Sequence, residues 1–421
     1  MECFVIRGGV PLCGSMQVHT AKNAVLPIMA AACMTKETVR IRACPQIVDA
    51  RIMLEILEKL GCRVTWEGED VCIDTAPMRG SDMPEALSKK LRSSVFLTGV
   101  LLARFGSAVI THPGGCEIGL RPIDLHLSGL RALGAHITER DGRILIEGER
   151  LRGAQVHLDY PSVGATENIM LAATRAKGKT VIHNAAREPE IADLARYMNE
   201  SGAVITGAGT SEVTVYGPCR MQGTAYEPMR DRIEAGTLLC AGAITGGDVT
   251  LERAPVNELG ALCAKLRYMG CAISEEESTL RLRAPRRLRA LRMLKTQPYP
   301  GFPTDMQSQM GALCCAAHGT SVIVETVFES RYAYAQELLR MGAHLSIDGR
   351  TLIVRGGTPL SGARVTAKDL RGGAALVLAG LCAQGETVVE NAQMIDRGYC
   401  ALEKTLAAAG AQMTRIKETD V

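Results

Sequence analysis

A glycine followed by a small residue recurs six times along this chain, each time between a helix-type pattern and a strand-type pattern. Successive pairs are separated by 73, 68, 68, 72 and 68 residues, and the second residue runs Cys, Ala, Ala and then Cys, Ala, Ala again. A fixed period is the signature of a repeated supersecondary unit, so the order of the pairs predicts three units plus three units. The pairs are Gly61-Cys62, Gly134-Ala135, Gly202-Ala203, Gly270-Cys271, Gly342-Ala343 and Gly410-Ala411.

Each unit contains two kinds of helix pattern. One is amphipathic and ends at the paired glycine, as in ARIMLEILEKLG at 50–61, and glycine is the residue type that most often ends a helix. A short β-type run precedes it, and two more strands follow the pair, as in GAHITERDGRILIEG at 134–148. The second helix is apolar nearly all round, which predicts burial inside flanking strands. These helices are predicted within 22–34, 91–106, 162–178, 231–247, 304–319 and 369–385.

The predicted fold class is therefore α/β, with helices inside and strands outside, built from six βαβαββ-type units. The opening FVIRGGVPLCGSMQV resembles IVRGGTPLSGARV at 353–365, and the sixth unit lacks that closing strand-turn-strand. The N-terminal segment is thus expected to complete the sixth unit, which places both termini in one domain. The expected domains are 22–229, and 1–21 together with 230–421.

Composition narrows the functional class. Apolar residues make up 47% and charged residues 22% of the chain, as in a soluble globular protein, and the net charge of +3 does not favour nucleic acid or membrane as a partner. The chain begins without a secretory pattern, and fifteen cysteines without any CxxC pair favour reduced thiols in a cytoplasm over disulfides or zinc.

The basic run RLRAPRRLRALRMLK at 281–295 has no stacking aromatics and is interpreted as a solvated, half-exposed strand. Cys314-Cys315 is interpreted as plain core.

One cysteine has unusual neighbours. Cys116 lies in THPGGCEIGLRP, where Gly114, Gly115 and Gly119 predict an exposed irregular loop. Arg121, five residues later, would favour the thiolate. Local features alone leave a reactive role and a structural role equally open.

Polar or charged residues begin every one of the six apolar helices. Asp231, Asp305, Asp369 and Ser162 suit helix capping. Cations at a helix N-terminus oppose the helix dipole, so Lys22, Arg92 and Arg371 indicate an anionic ligand, and phosphate-bearing substrates fit best.

Eight motifs in order are similar to those of the UDP-N-acetylglucosamine enolpyruvyltransferase (UDP-N-acetylglucosamine 1-carboxyvinyltransferase) family. The resemblance covers essentially the whole chain and implies a two-domain inside-out α/β barrel with pseudo-threefold symmetry, and an active site in the cleft between the domains. The motifs are AKNAVLP, THPGGCEIGLRPIDLHLSG, SVGATENIM, AAREPEI, PYPGFPTDMQSQ, ETVFESRY, DLRGGAALV and IDRGY.

The resemblance implies transfer of an enolpyruvyl group from phosphoenolpyruvate to the 3′-hydroxyl of UDP-N-acetylglucosamine, with loss of phosphate. The reaction passes through a tetrahedral addition-elimination intermediate and is the committed step of bacterial peptidoglycan synthesis. It needs no metal or organic cofactor, and the partners are those two small molecules, without nucleic acid or membrane. The chain is expected to be a monomer.

The resemblance also implies residue roles. Cys116 matches the proton donor and covalent adduct site, and Asp305 matches the base for the hydroxyl. Cations for phosphoenolpyruvate are Lys22, Arg121 and Arg397. The remaining substrate-binding positions are Asn23, Arg92, Pro122, Ile123, Asp124, Leu125, Ser162, Val163, Gly164, Val327, Asp369 and Arg371.

Three departures from the family pattern remove no catalytic group. Thr20 replaces a glycine before AKN, Tyr160-Pro161 occupies the place of a lysine found in some members, and Gly372-Gly373 predicts a softer helix start. His126 is interpreted as a local hydrogen-bonding residue. The alternatives are a 5-enolpyruvylshikimate-3-phosphate synthase-like enzyme, which lacks the cysteine loop, and a non-catalytic UDP-sugar-binding paralogue.

Overall fold

The computed structural model describes residues 2–111, 114 and 122–417. Among the described residues, no helix combines the length and the apolar character needed to cross a membrane. The helices are α1 Lys22–Ala32, α2 Val48–Lys59, α3 Glu85–Ser88, α4 Phe96–Phe105, α5 Asp124–Ala132, α6 Val163–Ala173, α7 Pro189–Glu200, α8 Arg232–Ile244, α9 Gly260–Tyr268, α10 Gln307–Ala316, α11 Ala333–Arg340, α12 Leu370–Cys382 and α13 Leu402–Ala408.

The strands alternate with these helices along the chain. They are β1 Glu2–Arg7, β2 Cys13–Gln17, β3 Thr38–Ile41, β4 Arg63–Glu67, β5 Asp70–Asp74, β6 Ser107–Thr111, β7 His136–Arg140, β8 Arg143–Glu147, β9 Gln155–His157, β10 Gly178–His183, β11 Ile205–Thr206, β12 Glu212–Gly217, β13 Ala225–Tyr226, β14 Asp248–Glu252, β15 Ala272–Glu276, β16 Thr279–Arg283, β17 Leu294–Lys295, β18 Gly319–Val324, β19 His344–Asp348, β20 Thr351–Gly356, β21 Arg364–Thr366, β22 Glu386–Glu390 and β23 Gln412–Lys417.

The predicted helix ends are confirmed at all six glycine pairs. Each paired glycine is the second residue after the end of its helix and has a positive φ, from 85° at Gly342 to 105° at Gly270. Only glycine adopts this conformation without a steric penalty. The pattern therefore ends the helix and turns the chain into the next strand at the same point each time.

The chain divides into two compact units. The middle unit runs from Thr20 to Met229, and the terminal unit combines the residues up to His19 with those from Arg230 onward. The middle unit contains the sheets β13-β3-β5-β4, β6-β8-β7 and β11-β12-β10-β9. The terminal unit contains the sheets β21-β22-β1-β23, β15-β16-β14-β2 and β17-β18-β20-β19.

The apolar helices form the interior of each unit. In the terminal unit α8, α10 and α12 pack against one another, and in the middle unit α4 packs against both α1 and α6. Every residue of α8 is buried, whereas the strands alternate buried and more exposed positions, as β16 does. The prediction of buried helices flanked by half-exposed strands is confirmed, and the molecule has a two-unit α/β fold.

The two ends of the chain meet in one sheet. β1 pairs antiparallel with both β22 and β23, so that Phe4 lies opposite Val389 on one side and Arg415 on the other. This confirms that the N-terminal segment completes the sheet of the last strands. β2 instead pairs in parallel with β14 in the next sheet, so the segment joins two sheets.

The basic run is a strand only in part. β16 ends at Arg283, and no regular strand forms again before β17 at Leu294. Leu288 and Leu291 are buried, while Arg286 and Arg287 between the strands are exposed. The predicted half-exposed strand is therefore found only as far as Arg283, because Pro285 cannot donate to a strand ladder.

Candidate active site

The predicted site residues of the middle unit stand at the starts of its core helices. Lys22 and Asn23 are the first two residues of α1. Ser162 is the N-cap of α6, and its hydroxyl accepts a hydrogen bond of 3.3 Å from the amide of Ala165. The half-buried Val163 and Gly164 follow directly. The predicted cap at Ser162 is confirmed.

Lys22 has a counter-ion within the protein. Its ammonium lies 2.6 Å from a carboxylate oxygen of Asp49, which is in the first turn of α2 and has a side chain only 1% exposed. The positive charge at the start of α1 is thus balanced by a buried acid and needs no ligand to explain it. Asp49 has no distinctive sequence signal, because it lies 27 residues from Lys22 within an ordinary amphipathic helix.

Arg92 does not begin an α-helix. It opens a 3₁₀ turn, Arg92–Val95, and α4 starts only at Phe96. Its guanidinium is 3.4 Å from the carbonyl oxygen of Pro122. The predicted helix start is therefore wrong by one turn. The hydrogen bond to Pro122 connects Arg92 to the segment that leads into α5.

Four predicted contact residues lie at the start of α5, two just before the helix and two in its first turn. Pro122 is exposed and Ile123 is buried, whereas Asp124, the first residue of α5, is exposed and Leu125 is half-buried. Two predicted residues that precede them, Cys116 and Arg121, lie outside the described residues. Their roles stay predictions.

Asp305 is the centre of the site in the terminal unit. One carboxylate oxygen accepts a hydrogen bond of 2.7 Å from Arg331, and the other accepts one of 3.1 Å from Arg371. Both guanidinium side chains are only 4% exposed, compared with 26% for Asp305. Charge-assisted hydrogen bonds of this kind fix the direction of a carboxylate.

This arrangement corrects the capping interpretation. Asp305 lies inside the 3₁₀ turn Thr304–Met306 that precedes α10, and neither the turn nor α10 has a side-chain cap. Asp231 and Asp369 do cap their helices, since each accepts two backbone N–H bonds from the first turn. Asp305 differs because two arginines, 26 and 66 residues away, bind its carboxylate instead.

Arg331 is also held by hydrogen bonds that lead through Thr304 to Glu325. Its guanidinium also donates to the hydroxyl of Thr304 at 2.9 Å, and that hydroxyl donates to Glu325 at 2.8 Å. Glu325 is completely buried and accepts the backbone N–H of Val327 at 2.8 Å. One buried carboxylate thus positions both the Asp305 turn and Val327, a predicted substrate contact.

Arg371 is fixed through both its backbone and its guanidinium group. Asp369 caps α12 by accepting the backbone N–H of Arg371 at 3.0 Å and that of Gly372 at 2.8 Å. The guanidinium lies 5.4 Å from the ring centre of the fully buried Tyr399. Burial disfavours the charged form, but Tyr399, Asp305 and Asp231 outweigh it and raise the pKa of Arg371 above its usual value. Arg371 is therefore a fixed cation.

The two glycines after Arg371 do not loosen the helix start. A Cβ at Gly372 would lie 2.6 Å from a carboxylate oxygen of Asp369, and a Cβ at Gly373 would lie 2.7 Å from Ile395. The predicted softer start is wrong, because both positions are too closely packed for a side chain. Arg397, the remaining predicted cation of this unit, is half-buried in the turn that contains Ile395.

His126 is confirmed as a local hydrogen-bonding residue. Its Nδ1 lies 3.1 Å from the amide nitrogen of Asn168, whose oxygen accepts the backbone N–H of Gly99 at 2.7 Å. In residues 2–111, 114 and 122–417 no three His, Cys, Asp or Glu side chains gather as metal ligands would.

Comparison with known proteins identifies the family. A family model described as EPSP synthase (3-phosphoshikimate 1-carboxyvinyltransferase) matches residues 6–406. UDP-N-acetylglucosamine 1-carboxyvinyltransferase 2 of Caldanaerobacter subterraneus subsp. tengcongensis is 49% identical over 416 residues, which are 99% of this chain and 100% of the relative. The chain belongs to the enolpyruvyltransferase family. It is a transferase.

Other members agree with this placement. UDP-N-acetylglucosamine 1-carboxyvinyltransferase 1 of Symbiobacterium thermophilum is 49% identical over 99% of this chain and 95% of its own length. The enolpyruvyl transferase NikO from Streptomyces tendae superposes with a TM-score of 0.89 at 25% identity, covering 98% of both chains. EPSP synthase from Acinetobacter baumannii shares the fold, with a TM-score of 0.77 at 19% identity over 99% of this chain and 100% of its own.

For an enolpyruvyltransferase, the structure adds one residue to the predicted cations. Arg331 binds Asp305 more closely than Arg371 does, yet the motif ETVFESRY in which it stands does not by itself mark it as a site residue. Its sequence signal is weak, because Arg331 follows the polar pair Glu329-Ser330 and does not begin a helix. Only the fold brings it to the carboxylate.

Proposed function

We propose that this chain transfers the enolpyruvyl group of phosphoenolpyruvate to the 3′-hydroxyl of UDP-N-acetylglucosamine and releases phosphate. In the addition step the hydroxyl oxygen bonds to the enol carbon, the hydroxyl loses its proton and the vinyl carbon gains one. Elimination then removes a methyl proton and phosphate from the tetrahedral intermediate and restores the double bond. The reaction would be the first committed step of peptidoglycan synthesis.

The observation that carries the proposal is the placement of Asp305 between two buried guanidinium groups. An ionised carboxylate only accepts hydrogen bonds, so it suits a hydroxyl whose proton is to be removed. Arg331 and Arg371 add fixed positive charge beside it, and such charge stabilises anions that develop during reaction. The naming of the relatives at 47% to 49% identity supports UDP-N-acetylglucosamine as the acceptor.

We assign the other roles by motif. Lys22, Arg121 and Arg397 would bind phosphoenolpyruvate, and Cys116 would donate the proton to the vinyl carbon. The two acids Asp49 and Asp305 hold Lys22 and Arg371 in place before substrate arrives. UDP-sugar contacts would come from Asn23, Arg121, Pro122, Ile123, Asp124, Leu125, Ser162, Val163, Gly164, Asp305 and Val327. Arg92, Asp369 and Arg371 would line the same substrate site.

We also propose the arrangement of the repeated units, the cellular compartment and the oligomeric state. Six sheets around two sets of core helices support two inside-out α/β barrels of three repeated units each. The fourteen cysteines of the described residues are all free, which suits a reducing cytoplasm. We propose a monomer that needs no cofactor, nucleic acid or membrane.

The test measures phosphate release and the sugar product together. Purified protein is incubated with phosphoenolpyruvate and either UDP-N-acetylglucosamine or shikimate 3-phosphate, with a reaction lacking any acceptor as the control. Phosphate and enolpyruvyl UDP-N-acetylglucosamine should appear in equal amounts with the first acceptor alone. Turnover with shikimate 3-phosphate in its place would overturn the proposal, and so would an absence of turnover with either acceptor.

A further inference from the structure

Arg415 is surrounded by acids, although it lies on β23 beyond the residues that the family model matches. Its guanidinium donates to Asp396 twice, at 2.8 and 2.6 Å, to Glu2 at 2.8 Å and to Glu403 twice, at 3.2 Å each. These five bonds use every N–H that an arginine side chain has. The plane also lies 4.7 Å from the ring centre of Phe4. These contacts together fix the guanidinium group of Arg415 in one orientation.

The closest of these contacts is the one to Asp396, which precedes Arg397 in the chain. Both carboxylate oxygens of Asp396 are bound in the paired geometry that arginine and carboxylate prefer. The two bonds to Asp396 are the first cause that raises the pKa of Arg415, against a smaller opposing effect of burial. The acid nearest to Arg397 along the chain is therefore engaged by Arg415.

The turn that carries Arg397 has little regular structure of its own. It consists of the 3₁₀ turn Ala392–Met394 and a few backbone bonds, such as those from the amides of Gly398 and Tyr399 to the carbonyl of Ile395. Tyr399 anchors the far end, because its hydroxyl lies 2.8 Å from that of Thr237 on α8. Arg415 anchors the near end through Asp396. Arg397 stands between the two anchors.

The geometry points to Arg415 as a positioning residue for Arg397. By holding both oxygens of Asp396, Arg415 fixes the near end of the turn and balances the negative charge that stands next to Arg397 in the chain. The inference rests on the proposed function, in which Arg397 binds phosphoenolpyruvate. Misplacing a binding group by about 1 Å can reduce turnover by a factor on the order of 10².

Two substitutions at Arg415 test this against a purely structural role. Arg415→Met removes the charge and all five hydrogen bonds. Arg415→Lys keeps the charge but cannot make the bidentate contact with Asp396. We expect Arg415→Met to raise the KM for phosphoenolpyruvate roughly 10-fold and leave the KM for UDP-N-acetylglucosamine within about 2-fold, with Arg415→Lys intermediate. The matched control is Glu403→Gln, which removes another acid bound to Arg415 and should leave both KM values unchanged.

A double substitution tests the route through Asp396. If Arg415 acts through that carboxylate, Arg415→Met should raise the KM for phosphoenolpyruvate less in an Asp396→Asn background than in the wild type. Unfolding midpoints of all variants are measured in parallel. Both KM values could instead rise together in proportion to the loss of stability, with the same rise in Glu403→Gln. That result would show that Arg415 only stabilises the sheet, and it would overturn the inference.

Arg397→Gln separates this inference from the proposed function. If Arg397→Gln raises the KM for phosphoenolpyruvate and Arg415→Met does not, the positioning role is wrong and the proposed function stands. If Arg397→Gln leaves that KM unchanged, the role assigned to Arg397 is wrong and the inference fails with it.

Discussion

At the scale of single residues, the carboxylate of Asp305 is the most constrained group of the candidate site. Two arginines with side chains only 4% exposed bind its two oxygens. A carboxylate that merely capped a helix would leave these arginines without their anion. Its substitution should therefore affect catalysis and stability together.

We predict that Asp305→Asn lowers kcat by a factor on the order of 10² to 10⁴, as expected for loss of a general base. Because an amide carries no charge, the variant should also lose stability, by up to about 3 kcal/mol for a broken buried ion pair. Steady-state rates and denaturant midpoints measure the two effects. Asp248→Asn is the control, since Asp248 pairs with Arg281 on the surface and should leave kcat unchanged. A normal kcat in Asp305→Asn would contradict the role as base.

Glu167 on α6 provides a prediction on pH. It is 1% exposed, and neither carboxylate oxygen has a hydrogen-bond partner among the described residues. Burial, followed by the charges of Glu190 and Glu188, raises the pKa of Glu167 well above its usual value. Below the unfolded pKa, near 4.5, the folded and unfolded states both hold the proton, so pH has no effect through this group.

As pH rises above that value, only the unfolded state releases the proton, and the folded state loses stability until its own pKa is reached. Glu167→Gln removes this dependence. The unfolding midpoint of the variant, relative to the wild type, should therefore increase as the pH rises from 4.5 toward neutral. A constant difference across that range would contradict the raised pKa.

At the scale of elements, the start of α12 depends on close packing. A Cβ at Gly373 would lie 2.7 Å from Ile395 and 2.9 Å from Ala367. Both neighbours are completely buried, so neither can move away easily. The turn containing Arg397 therefore packs directly on the helix that carries Arg371.

Gly373→Ala should destabilise the protein by about 1 to 3 kcal/mol, the usual effect of overpacking a core. Gly260→Ala is the matched control at the start of another helix, since a Cβ there has nothing within 4 Å and φ is −51°. It should stabilise the protein by about 0.4 to 1 kcal/mol, because alanine reduces the freedom of the unfolded chain. The unfolding midpoints of Gly373→Ala and Gly260→Ala are measured in denaturant. Equal midpoints for the two variants would contradict the packing argument.

At the scale of the whole molecule, burial distinguishes the cysteines. Among the fourteen in the described residues, Cys13 alone is exposed, and Cys72, Cys382 and Cys400 are half-buried. Burial raises the pKa of Cys44 and Cys382 to about 12, and that of Cys314 to about 11. Thiols of this kind are poor nucleophiles at neutral pH, since the thiolate is the reactive form.

We therefore predict that an epoxide phosphonate such as fosfomycin labels Cys116 before the other cysteines, because its phosphonate resembles the phosphate that the predicted cations bind. UDP-N-acetylglucosamine should speed the labelling, and Cys116→Asp should resist the compound while retaining activity. Peptide mapping by mass spectrometry locates the label. Iodoacetamide is the control, since without a phosphonate it should also label Cys13. Labelling of Cys13 by the epoxide would contradict the prediction.

Features that depend on local conformation could be predicted from the sequence. The six glycines end helices because only glycine adopts positive φ freely, and Ser162, Asp231 and Asp369 cap helices because their short side chains reach the next amides. The apolar helices are buried because no face of them is polar. Each of these properties belongs to a few consecutive residues.

Only the tertiary structure decided which charges meet. Arg331 and Arg371 reach Asp305 from 26 and 66 residues away, and Glu2 reaches Arg415 from 413 residues away. These separations depend on the order of strands in the sheets, which joins β1 to β23 and brings the ends of the chain together. Local propensity contains no information on such pairings, because a carboxylate that caps a helix and one that binds two arginines have the same sequence context. The fold therefore determined that Asp305 is an ion-paired group.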